Sequence, residues 1–361
     1  MNKLEQGFDA QKYFTSQTNA LHQRLEEANG SPNFMEFGGK PFGDHHAERV
    51  LPGYDTDCKA QLLASLIPVG KIVMVVNAKD ILLPEYGRTL QGRIRGDSQL
   101  RYDNETVRLI KRSRELDLEV KDVVVSVSPR RPSDTDRRTL DHFQESLFQE
   151  GVTMHNHYEV PNYPNTSIID NAEEVFGDND VIAETGNHLI AFSPGGGSGK
   201  FGVLLSEIYH ALKKGQNPHF IKFETFPIFT VEPDHALNLA FEAATADLQN
   251  RVVALCSDSD EIVTSYDKDV ENYALLKKVY SQSKNGYSNS VDTMTNPTTM
   301  SVNRIIDGIT DESVVIDACR QEIERRIARY TKEISVGTER QSTLDRANEV
   351  NEIFNRRYPI M

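Results

Sequence analysis

Asn187-His-Leu-Ile-Ala-Phe-Ser193 is an apolar run, Pro194-Gly-Gly-Gly-Ser-Gly-Lys200 a glycine-rich turn, and Phe201 to Lys214 an amphipathic stretch closed by Gly215. In that last stretch Phe201, Leu204, Leu205, Ile208 and Leu212 share one face, and Lys213 and Lys214 stand near its end. The three together predict strand, loop and helix in direct succession. Glycines without a Cβ let consecutive amides turn around an anion, and a helix N-terminus adds free N–H groups and partial positive charge. Gly195, Gly196, Gly197, Ser198, Gly199 and Lys200 are therefore candidate phosphate-binding residues. The loop departs from the GxxxxGK[ST] phosphate-loop pattern in two ways. Pro194 stands where the first glycine belongs, which makes the loop one residue short, and Phe201 replaces the hydroxyl residue that normally holds Mg²⁺.

Outward from the loop, the same alternation continues. Lys71–Asn77, Asp122–Val127 and His219–Thr225 read as strands, the first two as apolar as expected for strands covered on both faces. Glu105–Leu116 and Ser133–Gln149 read as amphipathic helices between them, with Ser133 as N-cap. The fold class is α/β, a mostly parallel sheet with helices on both faces. Beyond Pro233 the pattern turns helical. Asp234 is expected to cap the alanine-rich segment HALNLAFEAATADLQ, further helices are expected over 268–283, 311–335 and 343–354, and 284–301 reads as a long loop. A boundary near residue 230 divides an α/β domain (1–230) from a helical domain (231–361).

Composition narrows the function classes. Lysine and arginine total 40 against 54 acidic residues, a net charge of −14, which disfavours a general nucleic-acid binder. The longest apolar run, Ile72–Val76, falls far below the roughly 18 residues of a membrane span. Three widely separated cysteines without a CxxC pair give neither a disulfide framework nor a zinc knuckle and fit a reducing cytoplasm. No HExxH occurs, and Lys200 breaks a GxSxG frame around Ser198, so peptidase chemistry has no support.

Two further polar clusters stand out. Glu36-Phe-Gly-Gly-Lys40 with Asp44, His46 and Arg49 gathers acid, base and cations after a short strand: Lys40 and Arg49 suit oxyanions, and His46 suits proton transfer with Asp44 orienting it. Arg95-Gly-Asp97 offers another guanidinium and a carboxylate for a metal. Glu224 lies at a strand end, where parallel sheets place ligand groups, and Glu242 lies in the alanine-rich helix.

The segments Glu36–Gly53, Arg95-Gly-Asp97 with Tyr102-Asp103, the glycine loop, Lys222–Pro227 and Asn238–Asp247 occur together in an order that resembles the UPF0371 family of bacterial proteins, also called the domain-of-unknown-function 1846 family. The resemblance implies an α/β domain followed by helices, a longer chain with a further C-terminal domain, and no assigned activity.

The favoured reading is an enzyme that binds a phosphorylated small molecule, ATP with Mg²⁺ in its fullest form, and performs phosphoryl transfer or ATP-dependent ligation. In that reading His46, Asp44, Arg49, Arg95 and Asp97 act on the ligand, and Lys40, Glu224 and Glu242 are cleft candidates. The metal ligands are left unassigned. A sugar-phosphate enzyme of isomerase or glycosyl-transferase type, and a non-catalytic homo-oligomeric protein with a regulatory anion site, stay open as alternatives. No nucleic-acid or membrane partner is expected.

Overall fold

The computed structural model describes residues 6–28, 30–66, 70–82, 100–184, 188–226, 228–248, 253–255, 261–263, 267–282 and 294–360. Its strands are β1 (Asn33–Phe37), β2 (Gly70–Asn77), β3 (Asp122–Ser128), β4 (Thr153–Tyr158), β5 (His188–Phe192), β6 (His219–Phe223), the antiparallel pair β7 (Val253–Leu255) and β8 (Glu261–Val263), and β9 (Ser301–Val302). Seven of them form one parallel sheet in the order β4-β3-β2-β5-β1-β6-β9.

The apolar runs make this sheet because helices cover both of its sides. Met74, Val76, Val123 and Val125 enter one core, shared with α1 (Ala10–Glu26), α2 (His45–Val50), α3 (Cys58–Ser65), α4 (Ala78–Ile81), α5 (Tyr102–Arg114) and α6 (Asp134–Gln149). Val73, Val75 and Val124 enter the other, against α7 (Ala172–Phe176), α8 (Lys200–Lys213) and, later in the chain, a helix over Asp267–Ser281. After residue 230 come α9 (Ala236–Ala244), that helix as α10 (Asp267–Ser281), α11 (Glu312–Ser335) and α12 (Gln341–Arg357). Val315, Cys319, Ile323, Val350 and Phe354 from α11 and α12 join the same core as Phe37 and Phe223 of the sheet.

Several local expectations meet their physical cause here. Ser133 caps α6 in a capping box with Asp136. The alanine-rich helix begins one residue later than expected: His235, not Asp234, is its N-cap, because the imidazole accepts from the Leu237 amide while Asp234 pairs with Arg357. Of the expected loop 284–301, residues 283–293 lie outside the described residues. Pro297–Met300 forms a 3₁₀ turn capped by Asn296, and Ser301 and Val302 begin an edge strand, since Val302 is buried beside Phe223. Helix α1 was not marked by any strong apolar run. It buries only Tyr13, Gln17, Leu21 and Leu25, a stripe with a four-residue step.

The connection after β2 runs on to β3, whereas that after β5 runs the opposite way to β6. Loops leaving adjacent strands in opposite directions open a crevice at the strands' C-terminal ends, the usual ligand position in such sheets. The glycine loop leaves β5 at that point. Beside it β3 carries a bulge, and Val127 adopts a left-handed φ of 55°, unfavourable for a β-branched residue by about 1–2 kcal/mol.

Candidate functional site

A cleft of about 970 Å³ spans the C-terminal ends of β1 to β6. Nine lysine and arginine side chains (Lys40, Arg49, Lys59, Lys79, Lys200, Lys222, Arg325, Arg326 and Arg329) and six carboxylates line it among the described residues. On a chain of net charge −14 this is a local excess of positive charge, which favours an anionic ligand.

The glycine loop forms one wall. Gly197 and Gly199 take left-handed φ values of 74° and 84°. At Gly199 a Cβ would lie 2.5 Å from Ser126 Oγ, so only glycine fits. Side chains hold the loop by its carbonyls: Ser193 Oγ donates to Gly195 O, Asn77 Nδ2 to Gly197 O and Ser126 Oγ to Ser198 O. Among the described residues no group accepts from the amides of Gly196, Gly197 or Gly199. The Ser198 hydroxyl, on a residue only 4% exposed, has no hydrogen-bond partner among the described residues. Lys200, the first residue of α8, is buried and donates 3.1 Å to Ser193 Oγ.

A second wall is built on Glu322 of α11, whose side chain is fully buried. Arg49 of α2 holds it through Nε (2.6 Å) and Nη2 (3.1 Å), Arg325 through Nε (2.7 Å) and Nη2 (2.9 Å), and Arg326 through Nε (2.8 Å). Burial alone would raise the Glu322 pKa, but the His46 hydrogen bond and the guanidiniums hold it far below the usual carboxylate range. His46 Nδ1 lies 3.3 Å from the same carboxylate. An ionised carboxylate only accepts, so Nδ1 carries the proton and Nε2, buried and unpartnered, is left as a lone pair. Burial keeps the imidazole pKa below its ordinary value, against the pull of Glu322. The residue orienting His46 is thus Glu322, and Asp44 has a different task. Asp44 caps α2 through the Ala47 amide and pairs with buried Lys59 at 2.5 Å. Burial works against its charge, yet Lys59 holds its pKa below the ordinary value. Both oxygens of Asp44 are thus engaged by groups of the protein itself. Among the described residues no group of three His, Cys, Asp or Glu side chains could hold a metal.

A third cluster surrounds Lys222 of β6. Its buried ammonium lies 2.9 Å from Glu224 and 2.5 Å from Asp269 of α10. Despite burial, Glu224, Asp269 and Glu36 raise its pKa, so it stays charged. Burial, together with the nearby Asp269 and Glu36, pushes Glu224 up to about 7 despite Lys222. A carboxyl that titrates near neutrality can give or take a proton at working pH. Because this folded value lies above the unfolded one of about 4.3, its ionisation withdraws stability as pH rises from there through 7. ¹³C-carboxyl NMR should find one glutamate titrating near pH 7, and the signal should vanish in Glu224→Gln; ordinary glutamate titrations throughout would refute this.

The structure brings Lys40, Asp44, His46, Arg49, Glu224 and residues 195–200 to one cleft. Glu242 is elsewhere: it is buried and lies 3.5 Å from Arg346 of α12. Arg95 and Asp97 lie outside the described residues. Glu322, Arg325, Arg326 and Asp269 went unselected in the sequence. For two of them a signal existed, because Glu322 and Arg326 share the face of α11 that carries Cys319, Ile323 and Tyr330, and charges on an apolar stripe need partners.

A family model described as "Domain of unknown function DUF1846, N-terminal" matches residues 6–355. A UPF0371 protein of Streptococcus equi subsp. equi is 36% identical over 324 residues, covering 88% of this chain and 61% of that protein. UPF0371 proteins of Clostridium botulinum (strain Alaska E43 / Type E3) and Clostridium tetani are 34% and 35% identical over 349 and 355 residues, covering 96% and 97% of this chain and 66% of each relative. The chain thus spans 61% to 66% of the length of these curated relatives. Among the described residues no helix is long and apolar enough to cross a membrane.

Proposed function

The chain belongs to the DUF1846 family of UPF0371 proteins, and from that premise we propose that its cleft binds a phosphorylated small molecule and acts at the bound phosphate by transfer or cleavage. One observation carries the reading: side chains tie back the carbonyls of Gly195, Gly197 and Ser198, and among the described residues the amides of Gly196, Gly197 and Gly199 have no acceptor and the Ser198 hydroxyl no partner. Such a loop at a helix N-terminus is a cup for a tetrahedral oxyanion. Loop amides and Lys200 would stabilise charge developing on the phosphate. His46 and Glu224 line the cleft and are suited to accept or deliver a proton there. ATP, which brings Mg²⁺ on its own phosphates, is the ligand of the phosphoryl-transfer form of this reading.

A sugar phosphate is the second reading, favoured by the Glu36, Glu224 and Asp269 carboxylates and Asn272 lining the same cleft. Carboxylates and amides accept from hydroxyl groups, and that pairing suits a polyol.

Thermal denaturation with ATP, ADP, glucose 6-phosphate or inorganic phosphate, each with and without Mg²⁺, tests both. A ligand at ten times its Kd adds about 1.4 kcal/mol of stability. A Mg²⁺-dependent rise with ATP supports transfer, and a rise with the sugar phosphate alone supports the second reading. The absence of any rise at millimolar concentration would sink both. Ser198→Ala sharpens the test. Deleting an unsatisfied buried hydroxyl should leave the free protein unchanged or up to about 1 kcal/mol more stable, while the ligand-induced rise shrinks. A ligand-induced rise equal to the wild type's would remove Ser198 from the cup.

A further inference from the structure

We propose that Arg49 and Arg325 form a second oxyanion subsite, so that the ligand carries two anionic groups: a phosphate on the glycine loop and a second phosphate or a carboxylate on this guanidinium pair. The inference rests on the phosphate-cup reading for the first group only. Arg49 and Arg325 both spend the same edge, Nε and Nη2, on the buried Glu322 carboxylate. Neither Nη1 amino group has a partner among the described residues. Both side chains line the cleft and remain 32% and 43% exposed. Arg326 differs: it is buried and gives Nη1 to Ala244 O, so it serves the scaffold.

Three guanidiniums on one carboxylate leave two positive charges in excess. A carboxylate that only stapled α2 to α11 would need one such partner. Holding two forks by one edge fixes their planes before a ligand arrives, which lowers the ordering entropy of binding. His46, on a ring held by the same Glu322, lines the same cleft. A cleft of about 970 Å³ accommodates a ligand that reaches both walls.

The test is anomalous diffraction from crystals grown without sulfate or phosphate and soaked in tungstate, a tetrahedral oxyanion. Two peaks per chain are expected in the wild type, one on residues 195–200 and one on the arginine pair. Arg49→Gln/Arg325→Gln should keep the first peak and lose the second. If the double variant does not fold, Arg325→Gln, which leaves Arg49 and Arg326 on Glu322, should lower the second peak's occupancy at least severalfold. A wild-type peak on the loop alone overturns the second subsite and leaves the phosphate cup standing. A peak on the arginines alone overturns the cup, and with it the two-group ligand. A second peak unchanged in the variants also overturns the proposal.

Discussion

Replacing Glu322 by alanine is expected to destabilise the fold by about 3–5 kcal/mol at neutral pH, the loss typical when one side of a buried ion pair is removed. The deletion strands Arg326, whose side chain is 10% exposed, and frees the fixed edges of Arg49 and Arg325. Against a total stability of about 5–15 kcal/mol this is a large fraction. The pH dependence has a definite sign. The folded pKa of Glu322 is depressed, so its contribution is complete above the unfolded value of about 4.3 and fades as pH falls toward the folded one. Urea melts should therefore show the deficit of Glu322→Ala at pH 7 and a narrower one below pH 4. A deficit under 1 kcal/mol at pH 7 would mean that water screens the cluster.

Lys222→Met carries the second large effect, and its deficit also grows with pH, over a higher range. Removing the ammonium leaves Glu224 and Asp269, with Glu36 nearby, to repel one another in a buried site. Each then takes a proton more readily, and the Glu224 pKa, already above its unfolded value, moves higher still. Stability from such a group is complete below the unfolded pKa and is lost as pH rises through the folded one. A loss of about 3–5 kcal/mol is expected at pH 8, where the carboxylates would have to ionise unpaired, and a much smaller one at pH 5. Equal losses at the two pH values would show that packing of the lysine stem, not charge, is what Lys222 supplies.

Much of the scaffold was legible because its signals are local. A strand buried on both faces must be apolar throughout, and Ile72–Val76 and Val123–Val125 are. Ser133 lies next to the helix it caps, and Gly197 and Gly199 answer to left-handed φ values within the loop itself. The electrostatic core of the cleft was not legible in this way. Glu322 meets His46 and Arg49 across 276 and 273 residues, and Asp269 meets Lys222 across 47. No spacing rule predicts such pairs. His46 beside Asp44 in sequence suggested a dyad, but in a helix residues two apart point to different sides, and each found its partner on another element. The α9 cap was misplaced by one residue because His235 can play the acceptor normally expected of aspartate.

The place of β1 in the sheet bears on how the molecule is made. Among the described residues β1 pairs with β5 and β6, which lie more than 150 residues later in the chain. Until then Asn33–Phe37 offers two unpaired edges and an apolar surface to anything nearby, while β2, β3 and β4 can already zip together in order of emergence. The order of emergence therefore allows the flank to pair before the middle closes. Closing the middle requires residues 188–223, and the Glu322 cluster requires α11 as well, so the cleft is complete only when segments from both ends of the described chain are in place.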